Sequence, residues 1–520
     1  MKTSPFFIVG RMLPAGTFSI DSTDNKIASP RNRYSRCPQN IILCRNGSPP
    51  YHKTADSILS GRTGTAFFKT GKSTLTGLLL ALFLALILAT CGGGSTAEDG
   101  AVAGNPNAGP ISGNQQNLIS NWDDFKKLAD LPDVSADKYP LYEFTADITM
   151  GSDHEPFDLR ARIDGKGYSI LEVHKKVFNL VGSDKASDQE KNIVLISDLV
   201  IKVVNDTITG SKGRGGILAW RNYGTLSGIS ILKTGSLSKL NETKFGKSGP
   251  LVAENYAPVI KCFSDIPVYA YDYAGGLIGV AYANVKDSHA TGESASESYS
   301  GGLIGRVTAN VTVTGSYATG KVSAINDASG GLAGENLGTI VNSYATGDVV
   351  ISNGNVSGGL VGRDSGGKII ESYATGNVTA TASAGGLVGH GSGSGIEKSY
   401  STGKAEATSS EGAGGFIGLA TYANISDSFS TGDAKGTKSG GFAGNGTGTY
   451  NRVYSRGAPD NFAFIFNGGE NVKGANYFSR TVDLGSNCSG FTGFDFFETG
   501  PWKCDTDGWP ILKNLPDPTP

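Results

Sequence analysis

The chain has 520 residues, of which 75 are glycine, 18% are charged and only 3 are methionine, a profile that points to an extended β-rich repeat protein. Its formal net charge of -2 leaves no basic surface to release counterions from a polyphosphate backbone, so nucleic acid is not an expected partner. The six cysteines show no metal-ligand spacing.

Residues 1–73 show neither hydrophobic periodicity nor a core-like composition and are expected to be a disordered extension or a mis-called start. Thr70-Gly71-Lys72-Ser73 looks like the end of a phosphate-binding loop, but that pattern needs glycine where Ala66 stands. From Leu75 to Thr90 runs an apolar stretch behind Lys69 and Lys72, ended by Cys91 and three glycines, the layout of a secretory signal. Leu88-Ala89-Thr90-Cys91 resembles a bacterial lipobox, although Thr90 is a less usual residue just before the cysteine. Residues 74–91 are therefore expected to be a lipoprotein signal peptide, with Cys91 lipidated and holding the mature chain at a membrane. An uncleaved anchor is the alternative, but the run falls short of the roughly 20 residues that span hydrocarbon. Residues 92–117, rich in Gly, Ala, Asn and Ser, read as a flexible tether.

Ser120 to Ala129 carries Ser at a plausible N-cap, acids in the first turn and an apolar face, which predicts a helix covering an open solenoid end. Degenerate repeat copies follow at Gly215-Gly216-Ile217-Leu218-Ala219 and Gly249-Pro250-Leu251-Val252-Ala253. Then glycine pairs begin at Gly275, Gly301, Gly330, Gly358, Gly385, Gly414 and Gly440, spaced by 26, 29, 28, 27, 29 and 26 residues. Each pair opens Gly-Gly-apolar-apolar-Gly. A second pattern, Ser-aromatic-small-Thr-Gly, follows, as in Ser316-Tyr317-Ala318-Thr319-Gly320. His289, Tyr400 and Phe429 hold the aromatic place in other copies. A fixed period of this size without helical periodicity means stacked coils of short strands and tight turns. The glycines are expected at positive-φ corners or at close backbone approaches. Leu277, Leu303, Leu332, Leu360 and Leu387 should superpose inside as one apolar ladder, with Tyr317, Tyr344, Tyr373 and Tyr400 stacking likewise against the interior or the wall. The competing reading of that aromatic row is an exposed strip for sugar or protein contact.

The doublet of Gly-Gly-Leu-Ile-Gly and Ser-Tyr-Ala-Thr-Gly resembles the GLUG repeat of bacterial surface and secreted proteins. Tyr139 to Ile148, Phe157 to Ile170 and Trp502 to Leu512 are similar to segments that flank such repeats. The resemblance implies an all-β, right-handed parallel β-helix-like solenoid in an extracellular setting, and no reaction. About nine coils are expected, with 118–270 as N-terminal cap and degenerate coils, 271–460 as the repeat solenoid and 461–520 as a C-terminal cap segment. Cys488 and Cys504, 16 positions apart in an exported protein, are expected to form a disulfide.

The acids of the repeats stand singly at loop-like places. Asp287 and Asp427 share a register but lie five coils apart, about 24 Å at one strand spacing per coil. His154, beside Asp153, Glu155 and Asp158, reads as part of a solvated loop, and His174, His289 and His390 fall in different coils. No catalytic, cofactor or metal residue is expected. Asn310 and Asn377 head Asn-x-Thr triplets that read as turn composition, and Thr319, Thr346 and Thr375 read as turns before an ice- or mineral-binding array. The expectation is a non-enzymatic, monomeric, lipid-anchored protein of the cell envelope, at the outer membrane or cell surface, whose solenoid binds a host protein or glycan. The alternative is a carbohydrate-active β-helix enzyme with a cleft within 150–275, which would need two carboxylates about 5 to 10 Å apart.

Overall fold

The computed structural model describes residues 117–516, apart from 135, 185–192, 205–214, 236–245, 352, 354–355, 410–411, 456–487 and 492. The N-terminal extension, the signal segment with Cys91 and nearly all of the tether lie outside the described residues.

The chain winds into a solenoid of parallel strands. One coil shows the plan: Tyr299–Gly301, Ile304–Val307, Thr312–Thr314, Tyr317–Ala318 and Val322–Ala324 follow one another as five short strands. Each pairs in register with its counterpart one coil on, as Tyr317 with Tyr344 and Gly301 with Gly330. The ladder that contains Ile304–Val307 runs through strands starting at Phe157, Phe178, Ala219, Val252, Ile278, Ile304, Ala333, Val361, Val388, Ile417 and Ala443, which is eleven rungs. At one strand spacing per rung it is about 48 Å long.

Eleven turns correct the expected nine. The difference lies upstream, where Leu141–Phe144, Arg162–Asp164 and Val194–Ser197 pair successively and lead into Thr225–Ser227, so this flank is itself coiled. These coils lack the glycine pair because two of the five ladders begin only at Lys247–Ser248 and Val268–Ala270 among the described residues.

Inward-facing side chains from successive strands of each coil make the core. Ile304, Val307, Val313 and Ala318 point inward and are buried, as are Leu277, Leu303, Leu332, Leu360 and Leu387, which form the expected ladder. The glycine pairs answer to close approach rather than to positive φ. A Cβ on Gly302 would stand 2.1 Å from the carbonyl oxygen of Gly331, and the same clash recurs for Gly331 against Gly359. The left-handed corner before each aromatic is instead held mostly by other residues, Asp287, Asn342, Glu371, Lys398 and Asp427, with φ of 50, 48, 49, 48 and 50°.

A helix at Trp122–Lys126 closes the first turns, capped by the Asn121 side chain, which accepts from the Asp124 amide; the cap is thus one residue later than the expected Ser120. Ser120 donates its hydroxyl to the Asp124 carboxylate instead. Phe125 and Leu128 are buried in the main core, and Phe125 meets Phe144, Phe157 and Phe178 at ring-centroid distances of 6.4, 5.9 and 5.7 Å. The open strand end is thereby covered by aromatic surface.

Candidate binding faces

The Ser-aromatic pair builds one wall of the rod. Ser316 donates its hydroxyl to the Thr314 carbonyl and accepts from the Ser288 amide of the preceding coil, and Ser343, Ser372 and Ser399 repeat both contacts. A buried hydroxyl that both donates and accepts satisfies a corner amide that the strand ladders leave over. In the degenerate coil Cys262 takes this slot, where it is buried and its thiol is pushed up to about 12 by burial, which makes it a packed thiol rather than a reactive one.

The next residue points outward. Phe263, His289, Tyr317, Tyr344, Tyr373, Tyr400 and Phe429 form one continuous stack with successive centroids 4.4, 4.5, 4.8, 4.9, 4.9 and 5.0 Å apart. The row therefore stands on the outer wall, while Ala290, Ala318, Ala345 and Ala374 fill the interior beside it. Because each ring within the stack covers the faces of its neighbours, these rings turn edges and hydroxyl groups outward, while the end ring Phe429 also stacks on Trp509 at 5.7 Å.

The C-terminal segment shows what binds such edges. The described residues between 488 and 516 lie along the wall, closed by a Cys488–Cys504 disulfide with Cα atoms 5.8 Å apart and by a short antiparallel pair, Trp502–Cys504 with Pro510–Leu512. Phe491 meets Phe429 and Tyr454 edge-on at 5.7 and 5.0 Å, Trp502 lies tilted over Tyr400 at 6.3 Å, and Tyr373 donates its hydroxyl to the Pro516 carbonyl. Tyr373, Tyr400, Phe429 and Tyr454 are consequently buried, whereas Phe263, His289, Tyr317 and Tyr344 remain half-buried. The segment thus runs beside several coils.

A second face gathers charge. Arg221, Glu254, Val280, Arg306, Glu335, Arg363 and His390 occupy one register position in successive coils. Burial pushes the Glu254 carboxyl up, but hydrogen bonds from Lys247 and Arg221 outweigh it and hold the group below its ordinary value. At Glu335 burial prevails over Arg306 and Arg363, and the carboxyl is raised. Tyr223, Tyr256 and Tyr282 stack beside this row at 5.0 and 4.5 Å, and the Arg221 guanidinium sits 3.9 Å over the Trp220 ring. Within 150–275, Glu254 is a carboxylate clamped between two cations.

The remaining candidates are scattered. Asp287 and Asp427 stand in the corner row, and Asp427 is paired by Arg452. His154 is not in a solvated loop: it is buried, with Nε2 3.1 and 3.0 Å from the carbonyl oxygens of Lys176 and Val177, and burial lowers its pKa. The residues around it are hydrophilic, but Trp122 and Phe157 roof the ring, a contact invisible in local composition. His289 lies within the aromatic stack, and His390 Nε2 is 3.2 Å from the Thr421 hydroxyl. Among the described residues no group of three or more His, Cys, Asp or Glu is placed to hold a metal ion, and no helix is long and apolar enough to cross a membrane.

These features define a parallel β-solenoid with ordered side-chain rows on its outer walls. No family model and no curated protein matches the chain. Among solved structures it is similar to one described as a "putative immunoglobulin A1 protease" from Bacteroides ovatus, at 13% identity over 78% of this chain and 96% of that one. The TM-score of 0.28 is too low for that likeness to carry a residue's role across.

Proposed function

We propose that the protein is a non-enzymatic, lipid-anchored cell-surface protein of the GLUG-repeat type, whose solenoid binds a protein or glycan. The observation that supports this most is the aromatic row, which continues past the C-terminal segment as half-buried rings at Phe263, His289 and Tyr317. A repeated wall supplies many equivalent contacts along its length, a property suited to avid binding of an extended partner. In this reading Cys91, which lies outside the described residues, carries the acyl chains and residues 92–116 supply reach.

The test has two parts. Mass spectrometry of the amino-terminal peptide from an envelope fraction should find diacylated Cys91, and the purified protein should bind immobilised matrix proteins or glycans. An unmodified terminus upstream of Cys91 overturns the anchor, and binding to neither class overturns the adhesive role.

A further inference from the structure

The stacked rows bury their ring faces, whereas Tyr422 stands outside them; among the described large hydrophobic side chains only Phe497, at 81%, is more exposed. Tyr422 is 76% exposed and lies at φ 55°, in the left-handed region that favours glycine. Its place in the coil explains why this is unusual. Ser365, Ser392 and Thr421 are in register, as are Lys368, Gly395 and Asn424, so the corners between them hold Gly366, Gly393 and Tyr422 in equivalent positions. The two glycines have φ of 74 and 65°; the Gly366 and Gly393 amides donate to the Ser392 and Thr421 carbonyls of the next coil, whereas the Tyr422 amide donates to the Thr447 hydroxyl. A corner that two coils fill with glycine is filled here by a large aromatic residue, which accepts backbone strain while returning little burial.

We propose that Tyr422 is the anchor of a carbohydrate subsite, stacking on the apolar face of a single pyranose ring. This rests on the binding role proposed above and names the ligand class for one place on the rod. Two observations support a sugar. First, among the described residues the adjoining corners offer the ring no side chain in register: the preceding coil presents Gly393, and the following coil passes from Thr447 to Gly448 with a register shift that leaves no residue opposite Tyr422. A flat ring outside the stacks can meet the C–H face of an equatorially substituted sugar, which rings covered by their neighbours cannot do. Second, hydroxyl and amide groups gather around it: Ser392, Thr447 and Asn424 are exposed and Thr421 is half-buried, with His390 held against the Thr421 hydroxyl. Such groups can exchange hydrogen bonds with sugar hydroxyls around the stacked ring.

The experiment compares the wild-type protein with Tyr422→Phe and Tyr422→Gly on immobilised cellotetraose, chitotetraose and N-acetyllactosamine, with collagen and fibronectin alongside. The wild type should bind at least one sugar, Tyr422→Phe should stay within about threefold of it, and Tyr422→Gly should lose about tenfold or more. The Tm of Tyr422→Gly should be equal or higher, because glycine relieves the corner, so lost binding cannot be ascribed to unfolding. Undiminished sugar binding by Tyr422→Gly overturns the subsite. Wild-type binding to collagen or fibronectin with none to the sugars overturns it too, while leaving the adhesive role standing; binding to none of the five overturns both.

Discussion

Asp364 offers the sharpest energetic test of the coil interior. It lies in the register row of Asn222, Asn255 and Asn336, where Asn222 donates its amide to Asn255 and Asn336 donates its amide to the Asp364 carboxylate at 2.5 Å. The other carboxylate oxygen of Asp364 is buried with no hydrogen-bond partner among the described residues. Burial pushes this carboxyl from an ordinary 3.8 up to about 6, against the hydrogen bonds from Ser394 and Asn336. The folded state therefore holds its proton over a range in which the unfolded chain has lost it. Stability from this group is full below pH 3.8 and is lost as pH rises through about 6. The rise from 3.8 to about 6 corresponds to about 3 kcal/mol of stability lost by neutral pH. Asp364→Asn removes the charge and keeps an acceptor for Asn336, so it should stabilise the rod by about 2 kcal/mol at neutral pH, allowing for an amide that needs a new partner. Urea titrations of both proteins at pH values from about 4.5 to about 7.5 should show the wild type losing ground to the variant as pH rises. A variant that is equally or less stable at neutral pH, with an unchanged pH profile, would mean that Asp364 carries no such penalty.

Three further outcomes follow from the same geometry. Ser343→Ala should leave the buried Ser316 amide unpaired and cost about 1–3 kcal/mol, read as faster hydrogen exchange at that amide; unchanged protection would contradict the serine ladder. Gly331→Ala would bring a Cβ to 2.1 Å from the Gly359 carbonyl oxygen and should cost about 3 kcal/mol or more, seen as new proteolytic cleavage in that coil. Replacing Cys488 and Cys504 by Ser removes a cross-link spanning 16 positions, worth about 3 kcal/mol, and should expose the Tyr373 and Tyr400 edges to iodination. Retained protection of both tyrosines would mean that apolar packing alone holds the segment.

What the sequence made legible was whatever repeats. The glycine pairs and the Ser-aromatic doublet fixed the coil and its inner Leu277 to Leu387 ladder, because stacked coils force like residues onto like positions. The coils before residue 215 were hidden, since strands as short as Ile148–Thr149 carry no period of their own and no glycine pair marks them. The side on which the aromatics stand was also hidden. It depends on the small residue after each aromatic facing inward, and on a C-terminal segment that returns to Tyr373 from 143 residues away. Tyr422 escaped notice for a related reason. Only the register that aligns it with Gly366 and Gly393 reveals that a tyrosine stands in a glycine's corner.

Display of the rod on the cell exterior for binding can be read by treating intact cells with a protease too large to enter the envelope. The solenoid should be released or degraded on intact cells while a periplasmic protein in the same cells survives. Full protection of the solenoid until the cells are lysed would contradict it.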